Sequence, residues 1–325
     1  MRAVVQDRYG PPEVLRIEDV DQPTPRDDEV LIRVRAASVS QSDTHVRGAH
    51  PVFWRLIVGL RRPRRQWQTL GVELAGEVEA IGSAVRDFRV RDEVFGSRWF
   101  GAHAEFICLP ESGPLAHMPA NVTFVEAAAI YDGGSQALAT LRQADVKEGS
   151  RIVVYGASGS LGTAAVQIAK HLGAHVTGVC GTDHVELVRS LGADEVVDYR
   201  REDFTKNGKQ FDAIIDAVGK YAYRWCRRSL RPGGIFVATD GGPRPLEMFF
   251  FAVATRWTGG RRVKFASGRK SRDDALFLKQ LVEAGAYRPV IDRVYPMEQA
   301  ADAHRYVEAW HKTGNVVLSI ERKTL

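Results

Sequence analysis

The sequence predicts an α/β protein of two domains, one β-rich and one built on a doubly wound parallel sheet. Short apolar segments broken by Gly, Pro and Asp occupy the first 120 or so residues, which is typical of a β-rich domain. From about residue 125, apolar strands alternate with helical patterns, which indicates βαβ units. The length of 325 residues also favours about two domains over a single core.

Six segments predict the strands of the β-rich domain, and the longest partly alternates apolar and charged residues like a half-buried antiparallel strand. They are residues 3–5, 14–17, 30–39, 74–81, 92–95 and 104–109. In the second domain the predicted strands are 152–155, 175–180, 196–197, 213–216 and 235–238, with helices at 161–172 and 185–191. The last segments are strands 263–265, 290–294 and 316–320 and helices 273–284 and 299–311. Periodicity alone leaves open whether this ending extends the parallel sheet or returns to the first domain.

The composition is that of a globular protein, with 44% hydrophobic and 26% charged residues, which excludes disordered, collagen-like and coiled-coil chains. Three widely spaced cysteines exclude a disulfide framework and a cysteine-rich zinc site. No apolar signal region or membrane-spanning run is apparent, so we expect a cytoplasmic protein. The formal charge of +5 raises the question of a nucleic-acid partner. Because one arginine cluster without a recognition fold is thin support, we expect none.

A glycine-rich loop between a strand and a helix is the strongest motif. Its residues are Gly156, Ala157, Ser158, Gly159, Ser160, Leu161 and Gly162. The spacing GxxGxxG is a variant of the dinucleotide fingerprint, whose glycines allow a pyrophosphate to approach the helix N-terminus. The alternative is a glycine turn that only packs the helix on the strand.

The end of the next strand bears on which nucleotide binds. That strand runs into Gly181 and Thr182 with no carboxylate at its tip, and Asp183 follows as a candidate helix cap. An acid there would bind the ribose of NAD, so its absence favours NADP(H) and leaves NAD(H) open. The sequence shows no arginine at this tip.

Several motifs together resemble the medium-chain dehydrogenase/reductase superfamily, in its zinc-free quinone oxidoreductase-like branch. They are GPPEVL (10–15), GVELAGEV (71–78), GAHAE (101–105), GTAAVQIAK (162–170), LGAD (191–194) and DAVG (216–219). The resemblance implies a GroES-like β-rich catalytic domain from residues 1–125 and 269–325, with a Rossmann domain of residues 126–268 inserted. It also implies an active site in the cleft between the domains, and a homodimer with an edge strand near residues 263–265 as its contact.

Two departures from the zinc-dependent members of the family bear on the chemistry. Their catalytic cysteine and histidine ligands match Ser40 and Val72 here, neither of which can replace a thiolate or an imidazole on zinc. We therefore expect no metal. The resemblance then implies NADPH-dependent hydride transfer to a lipophilic quinone or an α,β-unsaturated carbonyl compound. The alternatives are enoyl-thioester reduction and a non-enzymatic, crystallin-like NADPH-binding protein.

Candidate catalytic residues follow from matching positions in the family. Ser42 and His45 match a proton relay, and the alternative is that Ser42 and Asp43 cap a helix whose solvated side carries His45. Ser40 is expected to touch nicotinamide or substrate. Tyr131 is a candidate hydrogen-bond donor in the nicotinamide pocket, or else a core residue.

Further candidate cofactor contacts also come from the family. Gln136 shares the nicotinamide stretch with Tyr131, and Tyr199 matches a tyrosine beside the adenosine 2′-phosphate. Three others follow strands of the parallel sheet at its carboxyl edge; they are Val218, Gly219 and Asp240. The last is Asn315, which the family position puts near the cleft.

Residues 51–67 join an apolar, aromatic stretch to Arg61, Arg62, Arg64 and Arg65. The stretch could form a lid over a hydrophobic substrate, or it could pack on its domain with the arginines solvated. A third and less favoured alternative is peripheral contact with anionic lipid.

Overall fold

The computed structural model describes residues 1–52, 54–239, 242–256, 260–266 and 270–320. Its strands are β1 (Arg2–Val5), β2 (Arg16–Asp19), β3 (Glu29–Val39), β4 (Glu73–Ile81), β5 (Glu93–Ser97), β6 (Phe106–Pro110), β7 (Leu115–His117), β8 (Arg151–Tyr155), β9 (His175–Cys180), β10 (Glu195–Asp198), β11 (Phe211–Asp216), β12 (Leu230–Ala238), β13 (Arg262–Phe265), β14 (Ile291–Pro296) and β15 (Asn315–Ser319). Its α-helices are α1 (Gln41–Gly48), α2 (Trp54–Val58), α3 (Phe124–Ala127), α4 (Tyr131–Gln143), α5 (Ser160–His171), α6 (Val185–Ser190), α7 (Tyr223–Cys226), α8 (Pro245–Ala254), α9 (Arg272–Glu283) and α10 (Ala300–Glu308). Within the described residues, none of these helices is long and apolar enough to cross a membrane.

The chain divides into two compact units. The first comprises Met1–Asp132, Lys270–Glu283 and Pro289–Leu325, and the second comprises Gly133–Arg269 and Ala284–Arg288. Residues 126–132, assigned from the sequence to the inserted domain, therefore belong to the first unit, where Glu73 accepts hydrogen bonds from the backbone of Tyr131 and Asp132. Residues 284–288 belong to the second unit, where the Gln167 amide donates to the carbonyl of Arg288 and accepts from its N–H.

The first unit is built on a seven-stranded sheet. Its strand order is β14-β15-β3-β4-β5-β7, and β6 pairs with β3. The pairing of β15 with β3 is antiparallel and sets Val317 opposite Ser38. The C-terminal strands thus return to the sheet of the N-terminal strands, which answers the question that periodicity left open. Fully buried apolar residues such as Ile32 and Leu74 lie in its core.

The second unit is built on six parallel strands in the order β10-β9-β8-β11-β12-β13. Numbered within the unit, this is the order 3-2-1-4-5-6 of a dinucleotide-binding sheet, which confirms the predicted Rossmann fold. The order reverses between β8 and β11, and ligands of such sheets bind beyond the carboxyl ends of the strands at that point. The loop after β8 and the loop after β11 are therefore the first places to look for a site.

Candidate functional site

The loop after β8 is shaped by glycine. Gly156 has φ +81, a left-handed backbone that side chains other than glycine's adopt only under strain. A Cβ on Gly156 would also lie 2.5 Å from Cγ1 of Val218, in the loop after β11. The N–H groups of Gly156 and Ala157 both donate to the carbonyl of Val179, at 3.0 Å. Gly156 and Val218, both predicted cofactor contacts, are therefore brought together at the switch point.

The N-terminus of α5 lies directly behind this loop. A Cβ on Gly162 would lie 2.1 Å from the carbonyl oxygen of Gly156, so only glycine allows the helix to approach so closely. Gly159 is the N-cap, with no side-chain cap, and a Cβ there would meet nothing nearer than 3.7 Å. The first-turn N–H groups of a helix have no partner within it and carry the positive end of its dipole. An anion such as a pyrophosphate fits this open, uncapped end.

The neighbouring residues of the loop divide by burial. Ser158 and Ser160 are partly exposed, whereas the side chain of Leu161 is 8% exposed and packs inward. Leu161 can therefore contact a ligand only through its backbone. Gly133 of α4 was not among the predicted site residues. A Cβ on Gly133 would lie 2.6 Å from Oγ of Ser160, so a glycine at this position lets α4 pack against the start of α5.

The carboxyl ends of β9 and β10 form the second part of the site. Asp198 pairs with Cys180 in the sheet, so the residues that follow each strand lie side by side. The hydroxyl of Tyr199 is 3.3 Å from where a Cβ on Gly181 would be, and Tyr199 is 51% exposed. Gly181 and Tyr199 are therefore adjacent, and the phenol ring is open to a ligand.

A carboxylate of the neighbouring strand β10 lies beside the tip of β9, where the sequence of β9 itself has none. It belongs to Asp198, which accepts a 2.6 Å hydrogen bond from the hydroxyl of Thr182 and lies 3.4 Å from Nε of Arg201. The Thr182 hydrogen bond is the main cause that holds the pKa of Asp198 below its ordinary value. This carboxylate is thus ionised and engaged within the protein.

An arginine also lies at this tip, although none directly follows β9 in the sequence. Nε of Arg200 is 3.7 Å from the Cβ position of Gly181, and its Nη1 donates to Asp183 at 3.2 Å. The side-chain hydrogen bond with Tyr199 is the largest cause that raises the pKa of Arg200. An exposed guanidinium beside a phenol suits a phosphate group. The sequence feature that could have indicated Arg200 is its position directly after Tyr199, a predicted cofactor contact.

The loop after β11 is held by the buried carboxylate of Asp216. It accepts hydrogen bonds from the N–H of Val218 at 3.2 Å and the N–H of Tyr221 at 2.7 Å. Gly219 has φ +63 and turns the chain at the carboxyl edge, as its predicted place requires. Gln136 is exposed on α4. The predicted contact Asp240 lies outside the described residues.

In the first unit, Ser40 is the N-cap of α1. Its Oγ accepts from the N–H of Asp43 at 3.3 Å and donates to Oδ2 of Asp43 at 2.7 Å, which closes a capping box. Oδ1 of Asp43 accepts from the N–H of Gly71 at 2.8 Å. Ser40 and Asp43 therefore cap α1 together, so the alternative reading is right for Asp43 and wrong for Ser42. The hydroxyl proton of Ser40 is donated to Asp43. Because this proton is donated to Asp43, the Ser40 hydroxyl cannot at the same time donate it to nicotinamide or substrate, as its expected contact would require.

The residues at the family's zinc position do not fit a zinc ion. The Ser40 hydroxyl serves the helix cap, and Val72 is a buried apolar side chain. Neither offers the thiolate or imidazole that such a site uses. Among the described residues, no group of three or more His, Cys, Asp or Glu side chains is placed to hold a metal.

A buried carboxyl next to this position was not predicted. Glu73 accepts from Oγ of Ser38 at 3.0 Å, from the N–H of Asp132 at 3.0 Å and from the N–H of Tyr131. Burial, with the nearby charge of Asp132, raises its pKa to about 8 against the opposing effect of these hydrogen bonds. Glu73 thus caps the N-terminus of α4 from a distant part of the chain.

The proposed donor role of Tyr131 is wrong. The side chain is fully buried, and its hydroxyl donates to the carbonyl of Ser271 at 3.0 Å and accepts from the Ser271 N–H at 2.8 Å. Burial also raises the pKa of the phenol. Tyr131 is a core residue that fixes the start of α9.

The remaining candidates of the first unit lie on α1 and β15. Ser42 and His45 are half-buried on α1, and the His45 ring lies 6.4 Å from that of Trp310. Their relay stays a prediction. Asn315 is buried at the start of β15, where its amide donates to the carbonyl of Val290 at 3.1 Å.

Comparison with known proteins agrees with this architecture. A family model described as "Alcohol dehydrogenase GroES-like domain" matches residues 26–146, and one described as "Zinc-binding dehydrogenase" matches residues 191–318. The quinone oxidoreductase of Sus scrofa is 32% identical over 98% of this chain and 97% of that protein. The chloroplastic NADPH-dependent alkenal/one oxidoreductase of Arabidopsis thaliana is 30% identical over 98% of this chain and 79% of that one. The structure of the quinone oxidoreductase from Coxiella burnetii superposes with a TM-score of 0.86 at 28% identity, covering 99% of both chains.

Proposed function

Since the chain belongs to the medium-chain dehydrogenase/reductase superfamily, in its quinone oxidoreductase-like branch, and is an NAD(P)H-dependent oxidoreductase, we propose a specific activity for it. It reduces quinones or α,β-unsaturated carbonyl compounds, prefers NADPH to NADH and needs no zinc. The names of the pig and Arabidopsis relatives support these two acceptor classes.

The observation that carries the cofactor proposal is the placement of Arg200 against Gly181 and Tyr199. In a dinucleotide-binding sheet the adenosine ribose lies at the end of the second strand, which here is β9. The Arg200 guanidinium and the Tyr199 hydroxyl would hold the 2′-phosphate, and the N-terminus of α5 would hold the pyrophosphate. The Asp198 carboxylate is bonded to Thr182 and paired with Arg201. Its charge is therefore engaged within the protein, and Arg200 would be the residue that binds the 2′-phosphate.

When bound, NADPH supplies the hydride. The chain's own residues bind its phosphates and orient it, and such positioning is a large part of catalysis for hydride transfer to an already polarised acceptor. Zinc independence is supported by the chemistry of Ser40 and Val72, a capped hydroxyl and an apolar side chain.

The test is the oxidation of NADPH by chelator-treated protein with a panel of quinones, enones and enoyl thioesters. We expect turnover with at least one quinone or enone, faster with NADPH than with NADH and unchanged by chelation. Turnover of enoyl thioesters alone would replace the proposed substrate class. Tight NADPH binding without turnover on any acceptor would support a non-enzymatic role, and loss of activity on chelation would contradict zinc independence.

A further inference from the structure

An apolar surface lies on the segment between α1 and β4 that the proposed activity does not use. Four side chains on and around α2 point to solvent: Val52 is 65% exposed, Leu56 70%, Ile57 47% and Leu60 68%. Single exposed hydrophobic residues scattered over a surface are ordinary, but here four occur within nine residues of the chain. Phe53, in the same segment, lies outside the described residues.

Four arginines follow directly, in a part of the sequence that has no acidic residue. The stretch of residues 44–72 contains six arginines and no Asp or Glu. Arg61, Arg62 and Arg64 are exposed and form no ion pair with another described residue. Arg65 is 3.9 Å from Asp21, and both side chains are more than nine-tenths exposed. Exposed pairs of this kind contribute little. The positive charge of this segment is therefore available to a partner.

The protein holds this segment in a defined shape. Val58 and Pro63 are buried, and Trp54 packs on the core of the first unit. The hydroxyl of Tyr9 donates to the carbonyl of Gly59 at 2.6 Å, and the N–H of Arg64 donates to the carbonyl of Val58 at 2.9 Å. The segment is thus anchored by its inner residues while its apolar and basic outer residues face solvent.

We propose that this surface, formed by Val52, Leu56, Ile57, Leu60, Arg61, Arg62, Arg64 and Arg65, docks the protein on an anionic lipid surface. Exposed aliphatic side chains beside arginines are the combination that binds the boundary between headgroups and acyl chains. Arginines near an anionic membrane add attraction that is screened by salt. A nucleic acid would use the arginines but give the four aliphatic side chains no partner, since it is bound through charge and aromatic stacking.

The experiment is co-sedimentation of the full chain with vesicles, without cofactor or acceptor, so that its outcome is independent of the reductase activity. Phosphatidylglycerol-containing vesicles are compared with pure phosphatidylcholine vesicles at low and high salt. We expect binding to the anionic vesicles only, weakened by salt. Arg61→Ala with Arg62→Ala should lower the partition coefficient by about 10-fold or more, and Leu56→Ser with Leu60→Ser should also lower it.

Matched controls separate this surface from general charge and hydrophobicity. Arg227→Ala with Arg228→Ala removes another exposed arginine pair, and Leu276→Ser alters an exposed leucine of α9; both should bind like the wild type. Arg61→Lys with Arg62→Lys should retain binding, which shows that charge and not folding is being tested. Thermal melting of every variant checks that it is folded.

Several results would overturn the proposal. These are no binding to anionic vesicles, or equal losses in the control variants. Oligonucleotide binding tighter than vesicle binding and lost in the same arginine variants would assign the surface to nucleic acid. A Leu56→Ser, Leu60→Ser variant that binds vesicles normally but turns over a water-soluble acceptor slowly would assign the apolar residues to a substrate lid.

Discussion

The carbonyl oxygen of Gly156 lies 2.1 Å from the point that a Cβ on Gly162 would occupy. No rotation of a side chain can relieve this contact, because the position of a Cβ is fixed by its own backbone and its nearest neighbours are backbone atoms. We expect Gly162→Ala to lower the free energy of unfolding by about 2 kcal/mol or more, as overpacking in a core does. Thermal or urea unfolding measures it, with loss of NADPH binding as a second effect.

Gly159→Ala is the matched control in the same loop. Its Cβ would meet only the Gly156 oxygen, at 3.7 Å, and its backbone is in an ordinary extended conformation. We expect the variant to fold with a melting temperature close to that of the wild type. Equal destabilisation by the two substitutions would show that the close approach of α5 is not what selects glycine at position 162.

Arg200→Ala tests the adenosine end of the site. Removing the guanidinium beside Tyr199 should raise KM for NADPH by about 10-fold or more, the usual effect of losing one charged hydrogen bond. KM for NADH should change little, since NADH has no 2′-phosphate. Initial rates with each nucleotide measure the effect.

Arg231→Ala is the control for Arg200. Arg231 is also a partly exposed arginine in an ion pair, with Asp212 at 3.0 Å. It lies near the amino end of β12, whereas the candidate site lies at the carboxyl ends of the strands. Its removal should leave the ratio of the two KM values unchanged. If Arg200→Ala likewise left that ratio unchanged, Arg200 would not recognise the phosphate.

The buried carboxyl of Glu73 predicts a pH-dependent stability. Its pKa is raised from 4.5 to about 8 in the folded protein, so the folded state holds a proton that the unfolded state releases in this range. The contribution of Glu73 to the free energy of unfolding is fully present below about pH 4.5. It is lost as pH rises towards 8, by up to about 1.4 kcal/mol per pH unit.

Glu73→Gln should remove this dependence. The amide oxygen can still accept from the backbone of Tyr131 and Asp132, and the amide nitrogen can donate to Ser38. The wild type should therefore lose stability relative to the variant between pH 5 and pH 8 in thermal unfolding. Parallel stability curves for the two proteins over that range would contradict a raised pKa.

The homodimer stays a prediction, and one edge of the second sheet is its expected contact. Within the described residues β13 is the outermost strand, and the adjacent α8 exposes Leu246, Phe249, Phe250 and Val253 at helical spacing. Sedimentation should give about twice the chain mass of 36.0 kDa. Phe249→Ser with Phe250→Ser should shift the protein towards monomer, whereas a monomeric wild type would contradict the prediction.

The strongly periodic elements could be predicted from the sequence. β9 spans the predicted residues 175–180, and α5 differs from its prediction by one residue at each end. Several helices were missed, and the two longest of them are α4 and α8. α4 begins with Gly133 and Gly134 in its first turn, and glycine disfavours helices. α8 carries three consecutive phenylalanines, which obscure its helical period.

The site was predicted where a local motif defines it and missed where distant residues meet. Gly156, Gly159 and Gly162 follow from spacing alone. Arg200 and Asp198 reach the end of β9 only because β10 pairs with it in a particular register. Tyr131 is bonded to Ser271, which is 140 residues away in the chain, and nothing local to Tyr131 indicates that partner.

Transfer of deuterium to an enone, from NADPH that carries deuterium at both hydrogen positions of C4 of the nicotinamide, tests the central claim most directly. The account predicts deuterium on the β-carbon of the reduced product and a primary isotope effect in a single turnover of chelator-treated protein. Product that carries no deuterium, or no reduction of any enone or quinone by the folded, NADPH-binding protein, would contradict it.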